Sequence, residues 1–145
     1  MTVENGSADK ARATAGETVT VTADAPAAGK VFAGWTAGGG VTFADAGKAE
    51  TTFQMPAQAV TVTASYRDCS LAGGTVCGPR GAVLILAEYG AEDGRMTSVK
   101  RATLAADCLN GDAAALLGVA GLPARCRLML VDASTYAPLC AAEGR

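Results

Sequence analysis

The 145-residue chain has no histidine, few aromatic residues and few charges. Without histidine it lacks the commonest general base, the usual proton shuttle and a principal metal ligand, so any enzymatic reaction would need carboxylate, lysine or cysteine chemistry. One Trp, three Tyr and three Phe supply little bulk for a core, and charged residues make up only 18% of the sequence. A module of about 70 residues with so thin a core is marginally stable without further support.

Features that nucleic-acid and membrane binding require are also missing from the sequence. The formal net charge is −2, and no basic stripe is present that would neutralise phosphates. No apolar run reaches the roughly 18 residues of a membrane span, and the first residues do not resemble a signal peptide. Abundant Thr, Ala and Gly are typical of exported bacterial β-proteins. We therefore expect no nucleic-acid partner and no membrane insertion, and we expect an extracellular or cell-surface piece of a longer exported protein.

Alternating residues in the first half predict β-strands. Thr18–Ala23 alternates strictly between Thr and an apolar residue, which is the pattern of a half-buried strand, and Val60–Ala64 repeats it. Phe32 and Trp35 would face opposite sides of a regular strand. We therefore expect a β-bulge near Gly34, because it would bring both rings to one side.

Motifs in residues 1–67 follow one another in the order and at the spacing of a known repeat. They are Gly16–Val19, Phe32–Trp35, Thr52–Ala57 and Val60–Tyr66. On these motifs, the segment resembles the divergent internalin-B-type repeat of bacterial surface proteins. The resemblance implies a β-grasp-like fold, a place among repeats strung along a surface protein, and a role as a spacer or adhesive module rather than a catalyst.

Residues 68–145 are predicted to form a second all-β module. Val83–Tyr89 is apolar on both faces at its start, as in a strand covered from two sides, and the Asp93-Gly94 dipeptide predicts a hairpin turn before a returning strand at Met96–Leu104. Short motifs follow the pattern of a known sandwich: Ala87–Tyr89, Asp93–Met96, Leu130–Asp132 and Ala137–Leu139. On these motifs, this half resembles the small Ig- or fibronectin-like β-sandwich of bacterial extracellular proteins.

One segment of the second half has helical rather than extended character. Ala105–Leu109 and Ala113–Leu117 both have good helix propensity, and Asp112 is a candidate N-cap. Glycines cut both stretches short. We therefore expect a brief helix or turn that bridges the layers of the sandwich.

All five cysteines fall in the second half, without the Cys-X-X-Cys spacing of a zinc site. Disulfides would stabilise a thin-cored exported domain by about 2–4 kcal/mol each. Cys126 and Cys140 are equidistant from the turn of a predicted strand pair, which makes them the first candidate disulfide. Cys69 with Cys77 is the second candidate and would leave Cys108 unpaired. Buried reduced thiols are the alternative, because cysteine packs as a small hydrophobe.

Other candidate sites compete with purely structural interpretations. Trp35 is a candidate sugar-stacking platform, but a small module also needs this residue in its core. Lys100, Asn110 and Glu88 are the residues for an intramolecular Lys–Asn cross-link of the kind known in some surface sandwiches. The carboxylates are scattered, and their pattern indicates neither a calcium loop nor a particular glycosidase pair.

We therefore predict two tandem all-β modules, a β-grasp-like repeat at residues 1–67 and a small antiparallel β-sandwich at 68–145. The predicted function is structural or adhesive, without catalysis, cofactor or metal, and the partners are neighbouring domains of the same longer chain. The alternative is a binding module for a host protein or glycan that uses the loops Gly38–Gly40 or Gly90–Arg95. A cysteine- or carboxylate-dependent hydrolase is a more distant alternative. Exposed edge strands further predict strand-to-strand association between copies.

Overall fold

The computed structural model describes residues 1–144 and is almost all β, with 49% strand and 3% helix. The prediction of an all-β fold is confirmed. The chain divides into two compact units, one made of Met1–Pro26 and Phe32–Arg67, and the other of Ala27–Val31 and the chain from Asp68 onward. Each unit has its own hydrophobic core. The domain boundary between residues 67 and 68 stays a prediction.

Two three-stranded sheets surround the core of the first unit. In chain order their strands are β1 (Thr2–Glu4), β2 (Gly6–Ala8), β3 (Thr18–Ala23), β4 (Lys30–Ala37), β5 (Glu50–Gln54) and β6 (Thr61–Asp68). One sheet has the order β1-β6-β4, with β1 parallel to β6, and the other has the antiparallel order β2-β3-β5. Two small sheets facing one core bury the few large residues that this half contains.

The strands of the first unit form where alternation predicted them. Val19 and Val21 of β3 are fully buried between threonines that are exposed or half-buried. Phe32 and Trp35 of β4 are both buried, although an even spacing would separate them. Gly34 between them has a φ of 135°, a conformation that glycine adopts and other residues avoid. Both rings belong to the same core, and a β-bulge near Gly34 stays a prediction.

A three-stranded and a four-stranded sheet form the second unit. Its elements are β7 (Ser70–Ala72), β8 (Thr75–Gly78), β9 (Val83–Tyr89), β10 (Met96–Thr103), β11 (Cys108–Asp112), α1 (Ala113–Leu116), β12 (Cys126–Val131) and β13 (Glu143–Gly144). The sheets have the antiparallel orders β11-β8-β7 and β10-β9-β12-β13. Val76, Leu84, Leu86, Leu128 and Leu130 from both sheets share one core. An Ig- or fibronectin-like identity for this unit stays a prediction.

The β9–β10 hairpin is as predicted, and of the two stretches with helix propensity only the second forms a helix, α1. β11 begins at Cys108, so the end of the Ala105–Leu109 stretch is strand instead of helix. The reason is tertiary: β11 pairs with β8, and this pairing overrides local propensity. In α1, Asp112 is the N-cap as predicted, and its Oδ1 accepts a hydrogen bond from the Ala114 amide at 3.1 Å.

Candidate functional site

The predicted sugar platform, Trp35, is a core residue. Only 4% of Trp35 is exposed, and its ring lies 6.2 Å from that of Phe32 and 6.3 Å from that of Phe43. Phe43 in turn packs edge-on against Phe53 at 5.7 Å. The Trp35 indole nitrogen donates a hydrogen bond to the Ala49 carbonyl oxygen at 3.3 Å. With so little of the side chain exposed, Trp35 is not available to stack on a sugar.

The motif residues of the first unit also serve the fold. Gly16 has a φ of 85°, and its amide donates to the Met55 carbonyl at 2.8 Å. The Glu17 carboxylate accepts hydrogen bonds from the Thr14 amide and hydroxyl, and these bonds, helped by the Lys10 charge, lower its pKa. Each of these residues fixes the turn that leads into β3. Their placement gives them a structural role.

Tyr66 connects separate segments of the same unit through its hydroxyl group. Its hydroxyl lies 2.7 Å from the Asp24 carbonyl oxygen and 3.2 Å from that of Asn5, while its ring packs edge-on against Phe32 at 6.0 Å. Burial, and then the negative charge of Asp24, raise the pKa of Tyr66. The last aromatic residue of the repeat motif therefore ties separate segments together and remains protonated at neutral pH.

The loop Gly38–Gly40 of the first unit exposes backbone groups and no side chains. Gly39 and Gly40 both have a φ of 73°, and Gln58 donates a hydrogen bond from Nε2 to the Gly39 carbonyl oxygen at 2.8 Å. A side chain at Gly39 would begin 3.1 Å from Val60. The loop Gly38–Gly40 is thus shaped by glycine and presents only polar backbone groups to a partner.

The Gly90–Arg95 loop of the second unit is flanked by two exposed apolar residues. The Gly90 amide donates to the Arg95 carbonyl at 2.8 Å, which closes the loop. Directly below it, Tyr89 of β9 and Met96 of β10 are cross-strand partners and are 36% and 60% exposed. Sequence reasoning named the loop but missed this pair. The sequence feature that could have revealed the pair is an aromatic residue and a methionine on either side of a turn. Alternation alone does not predict which face of the sheet these two side chains occupy.

A second tight turn follows β12 where a turn was predicted between the segments of Cys126 and Cys140, but the role of Asp132 in it was missed. Asp132 Oδ1 accepts hydrogen bonds from the amides and hydroxyls of Ser134 and Thr135, at 2.6 to 3.0 Å. These bonds, led by the Ser134 hydroxyl, hold the pKa of Asp132 well below its usual range. Tyr136 completes the turn with a φ of 56° and is 58% exposed. The Asp-X-Ser-Thr order was the available signal, since such side chains bond to their own backbone.

The turn at Asp132 changes the alignment on which the first disulfide prediction rested. Val131 bridges to Pro138 and Leu128 pairs with Glu143, so Cys140 does not lie opposite Cys126 as a symmetric hairpin would place it. Cys126 instead pairs in register with Glu88 of β9. The geometric reason for joining Cys126 to Cys140 was therefore wrong. The pairing itself, like that of Cys69 with Cys77, stays a prediction.

The cysteines of the second unit differ in burial, and within residues 1–144 no two of them lie at disulfide distance. Cys69 and Cys77 are buried and Cys140 is half-buried. Burial, then the nearby Cys77 and Cys140, raise the pKa of Cys69 to about 11, and burial together with Cys77 raises the pKa of Cys140. Cys108 of β11 is the register partner of Gly78 on β8, and its sulfur lies 3.6 Å from the Val76 carbonyl oxygen. The arrangement favours neutral thiols over reactive thiolates at neutral pH.

The remaining candidate residues do not converge. Lys100 lies on β10 and Asn110 on β11, which belong to different sheets, and both side chains are exposed. Glu88 lies on β9, where its register partners are Cys126 of β12 and Ser98 of β10. Among residues 1–144, no three His, Cys, Asp or Glu side chains are grouped so as to hold a metal ion. The one helix within that range is too short to cross a membrane.

Comparison with known proteins gives one match. Residues 1–70 match the family described as the divergent InlB B-repeat domain. No curated protein and no solved structure matches the chain. The match covers the motif-bearing strands of the first unit, and it ends at the start of β7.

Proposed function

Because residues 1–70 are a divergent InlB B-repeat domain, a repeat module of bacterial surface proteins, we propose that the chain is a non-catalytic spacer that presents neighbouring domains of a longer exported protein. In this proposal the repeat occupies residues 1–67 and a small β-sandwich occupies 68–145. The protein acts outside the cell or at its surface. Its partners are the domains that adjoin it in the same chain.

The observation that carries this proposal is the use of the motif residues. Trp35, Phe53 and Met55 are all at least 92% buried, and Tyr66 bonds to backbone carbonyl groups. A binding or catalytic motif would direct its polar and aromatic groups toward a cleft, since recognition needs them exposed. Here the same residues fill a core. The buried motif therefore supports a structural role for the module, as a spacer.

A binding module for a host protein or glycan is the second candidate. It is favoured by the Tyr89–Met96 pair under the Gly90–Arg95 loop, because exposed Tyr and Met are enriched where proteins bind partners. The Arg95 amide donates to Asp93 Oδ1 at 3.1 Å, and the Arg95 Nε lies 3.7 Å from Asp93 Oδ2, so the loop beside this pair holds an internal ion pair.

The two functions differ in a binding experiment with the purified chain. Immobilised protein is tested on a glycan array and against heparan sulfate and sialylated glycoproteins. A spacer shows no saturable binding to any of them. A binder shows saturable binding that the double substitution Tyr89→Ala/Met96→Ala weakens at least tenfold, while Tyr136→Ala, at a more exposed tyrosine on another turn, leaves it unchanged. Saturable binding with that pattern would replace the spacer proposal by the binding one.

A further inference from the structure

Strand β10 is the edge strand of its sheet and adds nothing to the core of the second unit. It pairs with β9 alone, and among residues 1–144 the buried core cluster and the side chains packed against it include no residue of β10. Six of its eight residues are exposed. A strand of an antiparallel sheet usually packs one face on a core. β10 is instead held by its backbone bonds to β9, and both of its faces stay accessible.

Exposed apolar side chains collect on one face of β9 and β10. The leucines of β9 face the core, so alternation places Ala87 and Tyr89 on the opposite face. Their register partners on β10, Val99 and Met96, share that face and are 51% and 60% exposed. Three of the five large apolar side chains exposed among residues 1–144 therefore lie here. Exposed tyrosine and methionine are enriched where proteins bind partners.

The outer edge of β10 carries backbone groups that can accept a further strand. The Leu104 amide donates to the Ala82 carbonyl at 2.9 Å. Only every second residue of an antiparallel pair exchanges such bonds with its partner, so Lys100 turns its backbone groups to β9, while Val99 and Arg101 turn theirs away. Within the described chain, no other segment bonds to these outward groups. An open edge of this kind is where an extended segment can add to a sheet.

The same edge carries a positive charge on each of its faces. Lys100 and Arg101 are adjacent in β10, so their side chains leave the strand on opposite faces, and both are exposed. β10 contains no acidic residue, and Glu88, the one acidic residue of β9, lies opposite Ser98. Among residues 1–144, neither basic side chain forms an ion pair or a side-chain hydrogen bond. Both charges are therefore available to a partner.

These charges determine which kind of strand fits beside β10. If β10 paired with itself in a second copy, a register centred on Lys100 or on Arg101 would place that residue opposite its own copy. A register centred on Val99 would still gather the basic residues of both copies at one seam. Like charges on paired strands are destabilising, whereas carboxylates at the same positions are attracted. The edge therefore disfavours a second β10 and favours an acidic strand.

We propose that the outer edge of β10 is a docking site for an extended acidic polypeptide segment, which adds to the four-stranded sheet as a fifth strand. Its backbone pairs with the outward groups of Val99 and Arg101, and two adjacent carboxylates lie opposite Lys100 and Arg101. An apolar side chain of the segment covers Val99. This goes beyond the proposed spacer function, because it gives the second unit a partner from outside its own fold.

The test is a fluorescence-polarisation titration of the full chain with a labelled peptide, Thr-Val-Glu-Glu-Val-Thr-Val. Antiparallel addition places its two glutamates opposite Arg101 and Lys100 and the next valine opposite Val99. Saturable binding at concentrations up to about 1 mM is expected, and it should weaken as salt is added. The same peptide with lysines in place of the glutamates should not bind. Absence of saturable binding by the glutamate peptide, or equal binding by the lysine peptide, would overturn the proposal.

N-methylated peptides test whether the contact is strand pairing. In the expected register, the third and fifth residues of the peptide direct their amides at β10, and the fourth directs its amide away. N-methylation of the third and fifth residues should weaken binding at least tenfold, while N-methylation of the fourth is the matched control and should leave binding nearly unchanged. Equal effects at both sets of positions would contradict strand addition.

Charge-swapped variants of the chain locate the site. Lys100→Glu/Arg101→Glu should weaken binding of the glutamate peptide at least tenfold and should create binding of the lysine peptide, which an unfolded variant would not do. Arg12→Glu/Arg80→Glu makes the same change in net charge at exposed positions outside β10 and should leave both results as in the unsubstituted chain. Equal losses in the two double variants, or a swapped variant that binds neither peptide, would refute the site.

Amide exchange and light scattering distinguish the remaining occupant, a second copy. In the chain alone, the Val99 and Arg101 amides should exchange quickly and the Lys100 amide slowly, and the glutamate peptide should slow the first two. A dimer in light scattering that already protects Val99 and Arg101 without peptide would assign the edge to a second copy and overturn the proposal.

Discussion

The carbonyl oxygen of Ala49 accepts two hydrogen bonds, one from the Trp35 indole at 3.3 Å and one from the Ala23 amide at 2.8 Å. Trp35 belongs to β4 of one sheet and Ala23 to β3 of the other. One backbone oxygen before β5 thus links the two sheets of the first unit across their core. The link explains why the one tryptophan of the chain is fixed at this position.

Substitution of Trp35 tests this link. Trp35→Ala should lower the free energy of unfolding by about 3–5 kcal/mol, because it leaves a cavity beside the rings of Phe32 and Phe43. Trp35→Phe keeps a ring but removes the indole N–H and should cost about 1–2 kcal/mol, since Ala49 still accepts from Ala23. Urea unfolding followed by circular dichroism measures both. Tyr89→Ala is the exposed control, and equal small losses for all three variants would contradict a core position.

Gly34 is the position where backbone conformation limits the sequence of β4. A methyl group there would stand 3.1 Å from the Ala46 carbonyl oxygen on a backbone with a φ of 135°. We expect Gly34→Ala to destabilise the unit by about 1–3 kcal/mol in thermal or urea unfolding. Gly38→Ala, at a glycine with open space and no positive φ, should stay within about 0.5 kcal/mol. Similar values for the two variants would refute the requirement for glycine.

The buried thiol of Cys69 makes stability depend on alkaline pH. Folding raises the pKa of this thiol from 9.0 to about 11, so the unfolded chain releases the proton first as the pH rises. The contribution of Cys69 to stability is complete below pH 9 and is lost between pH 9 and about 11. Unfolding in the presence of a reductant should show a steeper loss over this range for the unsubstituted chain than for Cys69→Ala. Identical slopes would show that Cys69 ionises freely in the folded protein.

The Asp132 turn should respond to acid. Because hydrogen bonds from Ser134 and Thr135 lower the pKa of Asp132 in the folded chain, its contribution is present above its ordinary pKa of 3.8 and is lost as the pH falls below that value. Asp132→Ala should lower the melting temperature at pH 7 and reduce the further loss at pH 3. Asp132→Asn keeps one acceptor oxygen and should have a smaller effect at pH 7. A melting temperature unchanged by either variant would contradict a structural role for the turn.

Local patterns in the sequence predicted the parts of the fold that local interactions decide. Strict alternation located β3 and β6, the Asp93-Gly94 dipeptide located the β9–β10 hairpin, and Asp112 was recognised as a cap. In each case a few neighbouring residues suffice to fix the backbone. The same holds for the division of apolar residues into core and surface along these strands.

The parts that depend on distant residues could not be predicted in this way. Cys108 extends as a strand because β8 is beside it, although its own neighbours favour a helix. The alignment of β12 with β13 depends on side-chain bonds in the Asp132 turn, which spacing along the chain does not show. Because this alignment differs from that of a symmetric hairpin, counting residues between Cys126 and Cys140 could not place them relative to each other.

The emission of Trp35, measured with acrylamide quenching, tests most directly whether the motif aromatics form a core or a binding surface. Because the chain has one tryptophan, the signal is unambiguous. The structure predicts blue-shifted emission, weak quenching in the folded state and no change on adding glycans. A red-shifted emission that acrylamide quenches as strongly in the folded as in the unfolded chain, or a spectral shift that saturates with a glycan, would contradict it.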